Sequence, residues 1–174
     1  MTLSNIVLVG VDGSPESGAA LKYAVAEANR RGARLRVVST YFPEYSVHGR
    51  THPLTESEPA IEVDVEAQTR HMVEEALAGD APPPVEIVVA AGPAANVLIE
   101  RSGDVDVLVL GHRGRGGFAS MLLGSVSLQC VLHAQCPVIV VRPAAVAQSA
   151  PIAEPVAAGT TESVAAGPTA EHAN

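Results

Sequence analysis

The sequence predicts an open α/β fold, a parallel sheet with helices on both faces, and three observations predict it. Short runs that are apolar at every position recur along the chain. Each is followed by a stretch with helical spacing of its apolar residues, and glycines or prolines mark the joints. A run with no polar alternation suits a strand covered on both faces, which is the situation in parallel sheets. Strands alternating with helices then imply right-handed crossovers between parallel neighbours.

The elements follow in order. Ile6-Val7-Leu8-Val9 is the first strand, stopped by Gly10. Ser14-Pro15 reads as a helix start, with a hydroxyl to cap it and a proline at its first position. Leu21, Ala24, Val25 and Ala28 form the apolar stripe of that helix, and Gly32 ends it. Leu35 to Thr40 reads as the second strand. Residues 43–60, punctuated by Pro43, Gly49, Pro53 and Pro59, read as a long loop. A helix from about Val63 to Ala78 carries Val65, Met72, Val73, Ala76 and Leu77 on one side. Pro82-Pro83-Pro84 breaks the chain before a third strand, Val85 to Val89. A short helix from about Ala94 to Ser102, a fourth strand from Val105 to Leu110, a helix from about Ser125 to Ala134 and a last strand, Val138 to Val141, complete the set.

The domain so defined covers residues 1–143. From 144 to 174 the chain is mostly Ala, Pro, Ser, Thr, Glu and Val, with no aromatic residue and no clean period, and reads as a flexible tail. The whole chain of 174 residues is long enough for one self-supporting core.

Composition excludes several function classes. Aromatic residues make up 3% of the chain and Trp is absent, which leaves little for base stacking along a nucleic acid. The formal net charge of −8 opposes general attraction to nucleic acid or to an anionic membrane. No stretch approaches the roughly 20 apolar residues of a membrane span. The start, Met1-Thr2-Leu3-Ser4-Asn5, lacks the basic region and apolar core of a secretion signal, so the expected location is the cytoplasm. Cys130 and Cys136 fit neither a CxxC pair nor a zinc cluster and read as ordinary thiols. His48 and His52 stand four apart in the Pro/Gly-bounded loop, not on one helical face, and are not read as a metal site.

In an open α/β sheet, ligands sit at the carboxyl ends of the strands where the strand order reverses. The fourth strand ends there in Gly111-His112-Arg113-Gly114-Arg115-Gly116-Gly117, and the chain reaches Gly124-Ser125-Val126-Ser127 as a helix begins. Phosphate binding needs backbone N–H groups converging on an anion, and glycine removes the side chains that obstruct them. The helix start adds free N–H donors and the positive end of the dipole. Ser125 and Ser127 can add hydroxyl donors. Local charge agrees: between Val107 and Ala153 there is no Asp or Glu, while Arg113, Arg115 and Arg142 are present. The bland alternative is that these glycines only make a flexible loop. No Gly-Lys-Ser or Gly-Lys-Thr occurs, and the single lysine, Lys22, is far away, so this is not a P-loop NTPase.

The second element is Gly10-Val11-Asp12-Gly13-Ser14 after the first strand. A carboxylate there can accept from a ribose hydroxyl or hold Mg²⁺ near phosphates. On its own Asp12 reads as a turn residue or a helix cap. Its claim on the site rests on the first and fourth strands being neighbours.

These segments carry a resemblance. Gly111, Gly114, Gly124 and Ser125 fill without a gap a pattern of glycine, two residues, glycine, nine residues, glycine and Ser or Thr. With Val11-Asp12-Gly13-Ser14 and Cys136-Pro137-Val138-Ile139-Val140-Val141, the chain resembles the ATP-binding branch of the universal stress protein family over roughly residues 4–142. The resemblance implies an adenine-nucleotide alpha-hydrolase-like sheet of five parallel strands in the order 3-2-1-4-5. It implies ATP or a related adenine nucleotide with Mg²⁺ as ligand, and a homodimer through Val138–Val141. It places Asp12 at the ribose and metal region, Gly10 among the nucleotide-binding residues, and the backbone near Thr40 at the adenine. Gly111, Gly114, Gly124, Ser125 and Val126 would line the phosphates, with Ser127 in the same segment. The function implied is a nucleotide-binding stress-response regulator with slow hydrolysis at most. The alternatives are an ATPase or phosphotransferase using His112, Arg113 and Arg115, a sensor of cyclic AMP or AMP, and a dimeric interaction module without ligand.

Overall fold

The computed structural model describes residues 5–42, 44–47, 50–53, 58–78, 81–116 and 122–143. The chain divides after Pro143, and residues 1–143 form one unit. The proposed tail, 144–174, lies outside the described residues, as do Gly117 to Met121. The elements are β1 (Ile6–Gly10), α1 (Pro15–Arg31), β2 (Arg34–Tyr41), β3 (Glu44–Val47), β4 (Arg50–Pro53), α2 (Glu58–Ala76), β5 (Val85–Ala91), α3 (Ala94–Glu100), a 3-10 turn over Arg101–Asp104, β6 (Val107–Gly111), α4 (Ser125–His133) and β7 (Val138–Val141).

Five strands form one parallel sheet in the order β5-β2-β1-β6-β7, which is 3-2-1-4-5 when the strands of that sheet are counted alone. Val7 stands opposite Leu35 on one side and Val107 on the other. The uniformly apolar strands explain themselves in cross-section. Val7, Val9, Val107 and Val109 turn toward a core shared with Leu21, Ala24 and Val25 of α1 and Val73 of α2. Ile6, Leu8, Leu108 and Leu110 turn the other way, onto Leu98 of α3 and Cys130 of α4. Successive residues of these two strands therefore fill two cores. Leu8, Leu35 and Leu108 are fully buried, each burial worth about 1.5–3 kcal/mol.

Helix α1 begins and ends as its sequence predicts. Ser14 is the cap, its Oγ accepting from the Ser17 N–H at 3.2 Å, and Pro15 occupies the first turn. Gly32 closes the helix in the left-handed region at φ 61°, and the Ala33 N–H reaches back to the Ala28 carbonyl at 2.8 Å.

The region expected to be a single long loop is partly ordered. Residues 44–47 and 50–53 pair as a short antiparallel hairpin, with Glu44 opposite Pro53 and Val47 opposite Arg50. Helix α2 starts at Glu58, five residues before Val63, the first helical residue expected. The prolines account for the difference. Pro59 sits in the first turn, where its missing N–H costs nothing, and Pro53 ends an edge strand, so both start or stop elements. The 3-10 turn takes up Arg101 and Ser102, and β6 begins at Val107, two residues after Val105. Among the described residues, no helix is long and apolar enough to cross a membrane.

Candidate functional site

Strands β1 and β6 are the central pair, and the order of connection reverses between them. Beyond their carboxyl ends lies a cavity of about 700 Å³. It is lined by all nine residues singled out from the sequence, Gly10, Asp12, Thr40, Gly111, Gly114, Gly124, Ser125, Val126 and Ser127. Arg113 and Arg115 line it as well, so among the described residues Asp12 is the lone acid lining the cavity, with two arginines. A smaller groove of about 340 Å³ between α2 and β5 is flanked by Glu66, Arg70 and Glu74, and its arginine is already paired with Glu66 at 2.6 Å.

Asp12 ties the two strand ends together. One carboxylate oxygen, Oδ1, accepts from the Ser14 N–H at 3.0 Å and from the Ser14 hydroxyl at 2.6 Å. The other, Oδ2, accepts from the Arg115 N–H at 3.0 Å, across 103 positions of sequence. Burial alone would raise the pKa of this carboxyl, but the hydrogen bonds from the Ser14 side chain and backbone, from the Arg115 backbone and from Ser17 outweigh it and hold it below the ordinary value. Asp12 is thus ionised and largely committed. It is a turn-and-cap residue and a site residue at once.

The glycines have distinct steric reasons. A Cβ on Gly114 would overlap Asp12 Oδ2. On Gly111 it would lie 2.8 Å from the Glu16 backbone carbon of α1, and on Gly124 3.2 Å from the Arg113 Cα. Gly13, at φ 82°, needs the left-handed region, and the Arg115 guanidinium lies where its Cβ would be. The motif therefore packs three chain segments against each other as closely as backbone permits.

The two helix starts at the cavity contrast sharply. Helix α1 is capped by Ser14 and anchored by Asp12. Helix α4 has Gly124 at its cap, no side chain capping it and no acid in its first turn. The Gly124 N–H donates to the His112 carbonyl at 2.7 Å, and the first intrahelical bond runs from the Leu128 N–H to the Gly124 carbonyl. Among the described residues, the N–H groups of Ser125, Val126 and Ser127 are left without a partner at the cavity wall. The sequence expectation for Ser127 needs correction in one respect. Its hydroxyl donates to the Gly111 carbonyl at 2.6 Å and is buried, so it holds the loop to α4 and is not a spare donor.

At the far end, Thr40 lies past the point where β1 leaves the sheet. The last β1 pair is Gly10 with Val38, whose carbonyl accepts from the Val11 N–H at 2.9 Å. Strand alternation directs the Thr40 N–H and C=O to that same side, with no β1 residue opposite. Tyr41 faces β5 instead, its carbonyl accepting from Gly92. Sequence reasoning did not place Phe42, Gln68, Thr69 or Leu98 at the cavity, and all of them line it. Val65, Gln68, Thr69 and Met72 lie at spacings of three and four on α2, so extending the apolar stripe through its two polar members would have found this wall. The His52 side chain and all of His48 lie outside what the structure describes. No cluster of metal-ligating side chains occurs among the described residues. Cys130 is buried, Cys136 is partly so, and both are free.

Comparison with known proteins agrees with this architecture. Residues 4–142 match the universal stress protein family. A universal stress protein of Mycobacterium bovis is 39% identical over 142 residues, covering 78% of this chain and 45% of that relative. One from Mycolicibacterium smegmatis is also 39% identical, over 79% of this chain and 45% of its own length. The chain thus spans about half the length of these relatives. Among solved structures, the universal stress protein UspA from Lactobacillus plantarum superposes with a TM-score of 0.63 at 24% identity, over 82% of this chain and all of its own. A universal stress protein in complex with cAMP gives 0.57 at 24% identity, over 79% of this chain and 95% of its own. Matched across the whole unit that builds the sheet and the cavity, this chain belongs to the universal stress protein family.

Proposed function

We propose that the chain binds one adenine nucleotide in this cavity, with ATP as its principal ligand, and acts as a nucleotide-dependent regulator in the stress response. The observation that carries the reading is the uncapped start of α4, three partnerless N–H groups beside Arg113 and Arg115 in an otherwise acidic chain. An anion is what such a helix end lacks. The Thr40 N–H and C=O supply the donor–acceptor pair that an adenine edge needs, and the same pair is mismatched to guanine. The apolar wall of Val65, Met72, Leu98 and Leu110 suits a purine ring, and the cavity volume falls in the range of small-molecule sites.

Mg²⁺ enters this reading on the nucleotide. Among the described residues, Asp12 is the only carboxylate lining the cavity, and its two oxygens already accept three hydrogen bonds. That donor set fits an ion carried by phosphates and touched by Asp12 at most once or through water, and not an ion caged by protein. The same commitments speak against a dedicated catalyst. Asp12 is spent on the turn, and His112 is buried with its Nε2 accepting from Arg113, so neither is poised as a base beside the terminal phosphate.

A second reading, a sensor of cyclic AMP or AMP, is supported by structural neighbours solved with cAMP, with AMP and with dAMP. Their identities of 20–24% leave the choice among nucleotides to experiment. Dimerisation through β7 is part of the proposal: Val138–Val141 is the edge strand of the sheet and its side chains are only partly buried. A cytoplasmic setting is supported by the two unbonded thiols. Isothermal titration against ATP, ADP, AMP, cyclic AMP and GTP tests the whole reading. It predicts one site per chain, ATP tightest, and GTP weaker by at least about tenfold. Equal heats for ATP and GTP would remove the Thr40 edge from the account, and a tighter cyclic AMP site would install the second reading.

A further inference from the structure

His112 lies inside the glycine motif, but its side chain does not line the cavity. Its backbone is the junction of three elements: the N–H donates to the Val141 carbonyl at the end of β7 at 2.9 Å, and the carbonyl accepts from Gly124 at the start of α4. The ring is buried, with 5% of its surface exposed. Its Nε2 accepts from the Arg113 Nε at 3.0 Å. An acceptor at Nε2 fixes the neutral tautomer with the proton on Nδ1, and Nδ1 is buried without a partner among the described residues. A buried donor with no acceptor costs about 1–3 kcal/mol.

We propose that His112 is a positioning residue: as neutral imidazole it holds the Arg113 guanidinium by Nε, orienting it along the phosphate end of the cavity. The inference rests on the nucleotide reading above and names a part of the same site. Arginine has several donors in a fixed plane, so fixing one of them sets the direction of the rest. Protonation of His112 would turn the acceptor into a donor facing a donor, and this hold on Arg113 would be lost. The groups around the ring oppose protonation. Burial acts first, then the charges of Arg113 and of Arg142 after β7, while Glu16 of α1 and the Val141 carbonyl work the other way, and the net effect lowers the pKa from its ordinary value. His112 is therefore neutral at pH 7, and the clamp opens only in acid.

The test is Mg-ATP titration of wild type, His112→Gln, His112→Leu, Arg113→Ala and the His112→Leu/Arg113→Ala double variant near pH 8, with a descending pH series for wild type and His112→Gln and a melting curve for each. Gln carries an acceptor to the Nε2 position and does not titrate. It is expected to bind within about twofold of wild type near pH 8, and more tightly than wild type wherever the pH is low enough to charge the wild-type ring; the comparison at equal pH cancels protonation of the nucleotide itself. Leu, with no acceptor, is expected to weaken binding about 2- to 10-fold near pH 8, the range of one hydrogen bond. In the Arg113→Ala background it should cost nothing further, because the two residues act as one unit. Equal losses from His112→Leu in both backgrounds, or a folded Gln variant that binds more than tenfold more weakly than wild type near pH 8, would overturn the clamp while leaving nucleotide binding in place. If His112→Leu folds poorly, the Gln comparison decides alone. A wild type that binds no nucleotide overturns the site reading and the clamp with it.

Discussion

Asp12 and Arg115, 103 positions apart, meet where one carboxylate oxygen accepts the other's backbone N–H at 3.0 Å. That bond joins the turn after β1 to the glycine motif after β6, and Gly114 is the residue whose missing side chain makes room for it. The glycine motif thus keeps its shape by being fastened to a carboxylate on the neighbouring strand. Asp12→Asn, nearly isosteric, removes one of two acceptor oxygens and should show the fastening directly. It is expected to lower stability by about 1–2 kcal/mol and nucleotide affinity by roughly tenfold, with thermal melts and titration as readouts. Unchanged values for both would mean that the Arg115 bond does not hold the motif.

Gly114→Val places a branched side chain on Asp12 Oδ2. The loop must shift, and affinity is expected to fall by more than tenfold while circular dichroism retains the α/β signature. Gly111→Ala differs in kind, because its Cβ meets the α1 backbone 2.8 Å away and no side chain can swing aside. Overpacking of this sort costs about 1–3 kcal/mol, so the melting temperature should drop even without nucleotide. A Gly111→Ala protein as stable as wild type would contradict the close approach of β6 and α1.

Ser127→Ala deletes the hydroxyl that satisfies the Gly111 carbonyl. The expected cost is about 1 kcal/mol of stability, with rescue by Thr, which keeps the hydroxyl. A stability loss that Thr does not restore would assign the effect to packing.

Glu27 sets the acid limit of α1. Hydrogen bonds from Arg30 and then Arg31 hold its carboxyl down to about 2 against an ordinary value of 4.5. A depressed carboxyl contributes stability that is complete above pH 4.5 and is lost as pH falls from there toward 2. Arg30 is largely exposed, so solvent screening keeps the contribution small. Denaturant titrations of wild type and Glu27→Gln should differ at pH 7, differ less at pH 3, and converge only as pH approaches 2. A constant difference across that range would show that the charge is irrelevant.

The fold was legible because its rules are local. Ile6–Val9 and Val138–Val141 have no polar alternation, and two cores demand that. Ser14, Pro15 and Gly32 mark a helix by chemistry that tertiary packing does not alter. The loop expectation over 43–60 failed because a proline's meaning depends on position: Pro59 opens α2 where it was read as a break. The phosphate side of the cavity was legible for a similar reason, since glycines and a helix start announce themselves within one segment. Phe42 and Gln68 were not, because nothing local in α2 says which strand end it will cover. Ser127 shows a further limit: a hydroxyl's presence can be read from sequence, but not whom it serves.

The central claim is that main-chain N–H groups at the start of α4 receive the phosphates. Amide-resolved NMR of uniformly ¹⁵N-labelled protein, titrated with Mg-ATP, tests it most directly. The account predicts saturable shifts concentrated at Ser125, Val126 and Ser127, with smaller ones at Gly114 and Thr40 and none along β7. Saturable binding that leaves the three α4 amides unmoved, or no shifts at millimolar nucleotide, would contradict it.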